Sequence, residues 1–441
     1  MKNLKKGLLP LLLAVACFVL SGCNILSTGE ELLSPPMPGG ELSEIRAALD
    51  SIVNEEYTLK YPTRGEYRSA IVRYDVTGNG KKDAVAFFST EKENISSMHI
   101  ALLTQQDDKW FAVKDVSVLA SGIERVQFDD LNGDGVSEII AGWSVYGSVD
   151  KQVAVYTFDG ELLTPRLQEP YTEFLVCDLN TDTKKEILLL HLKPTDKRGT
   201  AKLLELTEAG VSEISATDLD GNATAVVNCS ETKLLNGRPA VFLDMQKGIK
   251  MITEILFLSG GKLQNPMYDK EKKATTVTER NSSVLSQDIN GDGTPDIPML
   301  EVLPDYREKS DEEKLYTTHW CSFDGKKLVV TLSAYMNYTD GYYFKVPKSH
   351  EGKLTVVRNT SSRTRTFYYY DSKKQKRGVE LFKIMAVSEN NWVASLKDSG
   401  DWEEVATANS VVYAVQKSAY DGENALKLDA IKAAIKITEE E

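Results

Sequence analysis

Hydrophobic and polar positions in this chain alternate in short runs, not at helical spacing. AVAFF (84–88), IIAGW (139–143), ILLLH (187–191) and IPMLEV (297–302) are strand-length apolar runs, several rich in β-branched or aromatic residues. A second set of segments carries turn residues between two such runs: QQDDKW (105–110), TFDGEL (157–162), TEAGV (207–211), LSGGKL (258–263) and SFDGKKL (322–328). Asp-Gly or Gly-Gly at the tip is the expected connection of two antiparallel strands. The repeating order is then strand, polar loop, strand, longer connection, strand, hairpin, strand. Four strands in about 40 to 50 residues, repeated, is the length and order of a β-propeller blade.

The polar loops have a fixed layout. DVTGNGKKD (Asp75 to Asp83), DLNGDGVSE (Asp130 to Glu138), DLNTDTKKE (Asp178 to Glu186) and DINGDGTPD (Asp288 to Asp296) carry oxygen-bearing side chains at positions 1, 3, 5 and 9. Alternating oxygens on a tightly turning loop converge on one hard cation, which points to calcium. The competing reading is a plain turn, since Asp, Asn and Gly turn a chain well without metal. A turn does not need the acid at position 9. An EF-hand is excluded: its position 12 requires Glu, and the residues there are Ala86, Ala141, Leu189 and Met299.

Chemistry ranks the loops. Asp130, Asn132, Asp134 and Glu138, like Asp288, Asn290, Asp292 and Asp296, supply three carboxylates and an amide, with Gly135 or Gly293 at position 6. Val136 and Thr294 at position 7 would add a backbone carbonyl. Asp178, Asn180, Asp182 and Glu186 are the same set, but Thr183 replaces the glycine, at a cost in turn geometry. Asp75 and Asp83 enclose only Thr77 and Asn79. These two weaker loops also carry lysine pairs, Lys81 with Lys82 and Lys184 with Lys185, which lower cation affinity. DLDGNATAV, from Asp218, reads as a degenerate fifth copy ending on Val226, and the steps between first aspartates are then 55, 48, 40 and 70 residues.

Acidic loops inside a blade-length repeat resemble the FG-GAP or VCBS-type repeats of integrin α-like propellers. The resemblance covers about 67 to 333. It implies loops between adjacent strands of a blade, binding structural calcium through positions 1, 3, 5, 7 and 9.

The first residues have a different character. Lys2, Lys5 and Lys6 precede an apolar stretch from Leu8 to Leu20, and Leu20-Ser21-Gly22-Cys23 follows. This resembles the lipobox of bacterial lipoproteins, which implies a signal peptide over 1–22 and a diacylglycerol on Cys23. Multiple acyl chains on one residue anchor stably where one chain does not. No later segment approaches the roughly 18 apolar residues of a membrane helix. The chain carries a formal charge of −13, and loss of the three signal-peptide lysines moves it to −16. Such a surface argues against nucleic-acid partners and leaves the lipid as the membrane contact. Cys177, Cys229 and Cys321 are too few for a disulfide framework.

The fold class expected is mainly β: a propeller of four-stranded, calcium-looped blades over 57–336, with a small β-rich domain at 337–417 and short flanking helices. The helices are placed at 41–56, after a Pro/Gly tether at 23–40, and in the tail at 418–441. A basic, aromatic cluster at Arg363, Arg365, Tyr368, Tyr369 and Tyr370 reads either as an anion or glycan surface or as an ordinary packed strand. No nucleophile elbow, zinc-protease helix motif, phosphate loop or Cys-x-x-Cys pair occurs, and His99, His191, His319 and His350 are widely spaced. Two functional readings remain. One is a surface-anchored, extracytoplasmic binding or scaffolding protein with an unidentified protein or glycan ligand. The other is a calcium-dependent hydrolase of phosphate esters or glycans, with its site at the propeller mouth.

Overall fold

The computed structural model describes residues 39–92, 95–147 and 151–438. The expected signal peptide, Cys23 and nearly all of the expected tether lie outside them. The chain is mainly β and divides into two compact units: Met1–Tyr171 with Glu205–Ser212, and Thr172–Leu204 with Glu213–Glu441.

In the first unit, helix Gly39–Asp50 buries Ile45, Ala48 and Leu49 against Phe88, Ala101, Leu103 and Trp110 of the first sheet. It ends before the expected 56. The first sheet consists of Ile71–Tyr74, Asp83–Lys92, Ile95–Gln106 and Lys109–Val118, with Tyr57–Leu59 as an added edge piece beside Asp83–Lys92. The second sheet takes Gly122–Asp129, Glu138–Ser144, Lys151–Phe158 and Leu163–Tyr171 in chain order. Alternation sends Phe87, Ile100, Leu102, Val126, Ile139, Trp143 and Tyr156 into one cluster between these sheets. Truncating a fully buried aromatic such as Phe87 to alanine costs about 3–5 kcal/mol.

The third sheet orders Glu173–Cys177, Glu186–Lys193, Arg198–Thr207 and Gly210–Leu219, and the fourth orders Ala225–Lys233, Pro239–Lys247, Lys250–Ser259 and Lys262–Gln264. The fifth comprises Ile297–Val302, Tyr316–Phe323, Leu328–Asn337, Tyr342–Lys345 and the returning strand Ile435–Ile437. The sixth runs Leu354–Asn359, Thr364–Asp371, Lys376–Ser388, Val411–Lys417, Glu403–Ala408. All five anticipated hairpin tips join the third and fourth strands of the first five sheets, counting the Gln287–Asp296 bridge as the fifth sheet's first strand. Asp107 and Asp108, and likewise Gly260 and Gly261, are consecutive left-handed residues, as a two-residue hairpin turn requires. Among the described residues no sheet closes on itself, and no helix is long and apolar enough to cross a membrane.

Three differences from the sequence reading have physical causes. The 336/337 boundary falls at the end of strand Leu328–Asn337, and one cluster holds Tyr335 and Leu303 together with Phe344, Phe367 and Phe382. Aromatics on the two sides of that boundary therefore share one core. The tail helix is short, Leu428–Ala434, and its continuation pairs Ile435 with Phe344. Asp218 sits within the last strand of the third sheet, Gly210–Leu219, whereas the four acidic loops follow a first strand. The fifth copy therefore matches in letters but not in place.

Candidate metal loops and the charge network beside them

In the first, second and third sheets the acidic loop joins the first strand to the second. In the fifth sheet the first strand is reduced to the bridge Gln287–Asp296, and the loop spans it. All four loops place positions 4 and 6 in the left-handed region: Gly78 and Gly80, Gly133 and Gly135, Thr181 and Thr183, Gly291 and Gly293. That pair of kinks curls the chain around its own first aspartate.

The hydrogen bonds repeat accordingly. Asp130 accepts the N–H groups of Gly133 at 2.7 Å and Gly135 at 2.9 Å, Asn132 accepts Asp134 N–H at 2.8 Å, and Asp134 accepts Val136 N–H at 2.8 Å. Asp178 does the same for Thr181 and Thr183, and Asp288 for Gly291 and Gly293. Thr294 N–H donates to Asp292 at 2.9 Å. The acid at position 9 folds back under the loop: Glu138 accepts Leu131 N–H at 2.8 Å, and Glu186 accepts Leu179 N–H at 2.9 Å. In the first loop Asp83 accepts Val76 and Thr77 N–H, while Asp75 accepts Asn79 and Gly80 N–H.

Every loop thus gathers negative charge at its centre, and in three of them the position-9 acid is raised, by burial first and then by its neighbours. Burial, then repulsion from Asp134 and Asp130, pushes the Glu138 carboxyl up to about 7 against the pull of the Leu131 N–H. Burial together with Asp178 and Asp182 raises Glu186 to about 7. Asp296 is raised by burial and by Asp292, although Ser322 and Thr331 hydroxyls donate to it. The position-3 amides point their N–H toward these acids: Asn132 Nδ2 reaches Asp134 at 2.9 Å and Glu138 at 3.0 Å, Asn180 reaches Asp182 at 3.0 Å, and Asn290 reaches Asp296 at 3.2 Å. Thr77, at the same position in the first loop, has a buried hydroxyl with no hydrogen-bond partner. A hard cation fits this donor set of carboxylate, amide, hydroxyl and carbonyl oxygens.

The tightest carboxylate group is in 178–186, where ligand oxygens of Asp178, Asp182 and Glu186 all lie within 4.8 Å of one another. The threonines did not change the turn. They took the glycine conformation, Thr181 at φ +65° and Thr183 at φ +77°. A β-branched residue there is strained by roughly 1–2 kcal/mol.

The fourth sheet holds groups that sequence motifs missed. Its first and second strands are joined by a plain Asn236-Gly237 turn, and charge is buried inside instead. Arg280 pairs with Asp244 at 3.0 Å, both side chains essentially inaccessible. Asp244 also accepts Ser286 N–H and hydroxyl, and Arg280 donates to Thr253 and to the Val284 carbonyl. Lys247 bridges Asp220 at 2.8 Å and Glu279 at 2.9 Å. Burial works to raise Asp220, but the Lys247 ammonium and the N–H groups of Asn222 and Thr275 outweigh it and hold the carboxyl low. Glu254 accepts Asp220 N–H at 3.0 Å and Asn265 Nδ2 at 2.8 Å, yet burial pushes its carboxyl up to about 7.

Two histidines form relays across neighbouring strands. His99 Nδ1 meets Asp115 at 2.7 Å while its Nε2 meets Ser97 and Thr90 hydroxyls at 3.0 Å. His319 Nε2 meets Glu301 at 2.8 Å and its Nδ1 meets Ser333 at 2.9 Å. The Arg363 and Arg365 cluster is not an open cationic face: Asp340 takes both guanidinium groups, Arg365 and Tyr370 are buried, and Arg377 pairs with Asp305.

No family model and no curated protein matches the chain. Among solved structures it is similar to Bacillus licheniformis rhamnogalacturonan lyase PL11, with 13% identity over 64% of this chain and 66% of that one, at TM-score 0.30. It is similar to rhamnogalacturonan lyase YesW, with 14% identity over 68% and 60%, at TM-score 0.31. It is similar also to the β-propeller domain of the Trilobed protease from Pyrococcus furiosus, with 11% identity over 69% and 85%, at TM-score 0.27. The chain spans less than two thirds of the length of either lyase. Likeness at this level carries no inference about activity.

Proposed function

We propose that this chain is a lipid-anchored, extracytoplasmic binding or scaffolding protein whose successive sheets are propeller blades braced by calcium. The observation that carries the reading is the repetition of one loop conformation, with its left-handed positions 4 and 6 and its buried position-9 acid, at one topological place in four sheets. Asp130, Asn132, Asp134, Val136 and Glu138, and the corresponding residues of the other loops, would hold the ion. Bound there, it supplies positive charge to a ring of carboxylates and ties each loop to the strand that follows. The meander order of the sheets supports the blade assignment. Calcium titration of the full chain tests the brace, with Asp130→Ala plus Asp288→Ala removing a large part of any calcium-induced rise in melting temperature. Cys23→Ala tests the anchor, and the variant should leave the membrane fraction. An enzymatic reading rests on the Ser97–His99–Asp115 relay, which orders a hydroxyl, a base and an orienting acid. Labelling of Ser97 by a fluorophosphonate would favour it over the binding reading.

A further inference from the structure

We infer that the cleft between the 178–186 loop and the fourth sheet binds a uronic-acid sugar, whose carboxylate is received by Arg238. The inference rests on the reading of the chain as a binding protein. The cleft has a volume of about 560 Å³, with Leu179, Asn180 and Thr181 on one wall and the Asn236–Pro239 turn with the Gly260–Gly261 hairpin tip on the other. That volume is ordinary for a small-ligand site.

Arg238 is the cation of this cleft. Its guanidinium lies over the Phe257 ring at 5.3 Å from the centroid, and among the described residues the guanidinium makes no hydrogen bond or ion pair. Acids outnumber bases by 65 to 52 in this chain, and an arginine on a cleft wall without an acidic partner is one that an incoming anion would use.

The facing wall supplies a second, independent observation. Three of the loops have glycine at position 4, Gly78, Gly133 and Gly291, but the loop lining the cleft has Thr181 in the same left-handed conformation. The strain places a hydroxyl on the cleft wall where glycine would offer none. One cation, one hydroxyl, glycine backbone and the modest apolar surface of Leu258 and Pro239 match a hydroxylated ring bearing one carboxylate. An acidic peptide would call for several cations in a row, and this cleft has one.

Isothermal titration of the full chain at saturating calcium, with digalacturonate and with its methyl ester, tests this. The acid should bind and the ester should lose at least about tenfold in affinity, as should Arg238→Gln with the acid, since a charge-assisted hydrogen bond is at stake. Thr181→Gly should weaken binding by a smaller factor. Absence of binding by digalacturonate, equal binding of the ester, unchanged affinity in Arg238→Gln, or binding of acetylated triglutamate in place of the sugar would overturn the inference. Calcium-dependent melting, measured without sugar, is read separately: Arg238→Gln should keep it. A protein that responds to calcium but not to the sugar loses this inference alone.

Discussion

The third sheet gathers its charge at one end, in a loop where the more open Asp178 and Asp182 face the buried Glu186, whereas the fourth buries Asp220, Asp244 and Glu254 among groups of its own chain. Asp244 has Arg280, and Asp220 has Lys247. On the calcium reading proposed above, the two sheets neutralise their carboxylates in two ways. A covalently attached cation is always present, but it fixes the stretch 265–287 against the sheet. A cation from solution leaves the loop short and makes stability depend on the medium. The strain at Thr181 and Thr183 adds to the third sheet's dependence, while the fourth has no comparable kink between its first two strands.

The largest effect should come from breaking the fourth sheet's internal pair. Arg280→Ala leaves Asp244 buried and unpaired and should cost about 3–5 kcal/mol in urea unfolding, with or without calcium. If added calcium restored its stability, the two sheets would not differ as described. Next, Asp178→Ala should lower the calcium-induced stabilisation while leaving calcium-free stability much nearer to wild type, because it relieves repulsion as it removes a ligand. A smaller, opposite change is expected from Thr181→Gly with Thr183→Gly. Relief of the left-handed strain should stabilise the calcium-free protein by roughly 1–2 kcal/mol, less the entropy cost of glycine.

A pH slope is expected from Glu254 as well. Its folded carboxyl, raised by burial to about 7, holds a proton that the unfolded chain has lost above its ordinary value of 4.5. The folded state binds more protons across that window, so this group's contribution to stability falls as pH rises from 4.5 to about 7. Asp220, held low, works in the opposite sense and only at more acid pH. Melting scans across the window should therefore show a decline that persists at saturating calcium. A rise across the same window would contradict the charge assignment of the fourth sheet.

Local rules made much of this molecule legible in advance. The Asp107–Asp108 and Gly260–Gly261 turns follow from residue type alone, and so does the strand character of 187–191 after its acidic loop. Asp218 was misplaced because a motif records spacing and not which strands it joins. Arg280 with Asp244, and Lys247 with Asp220, lie tens of residues apart in sequence; the path of 265–287 brings the first pair together, and the pairing of Ala225–Lys233 with Pro239–Lys247 the second. The pairing of Ile435–Ile437 with Tyr342–Phe344 is nonlocal in the same way. Thr181 shows the reverse limit: propensity excludes threonine from that backbone, and the surrounding hydrogen bonds overrule it.

Differential scanning calorimetry of the full chain, with calcium and then with excess chelator, tests the calcium brace most directly. The melting temperature should rise with calcium and return on chelation, and the rise should shrink in Asp130→Ala with Asp288→Ala. Identical melting curves in calcium and in chelator would contradict the account.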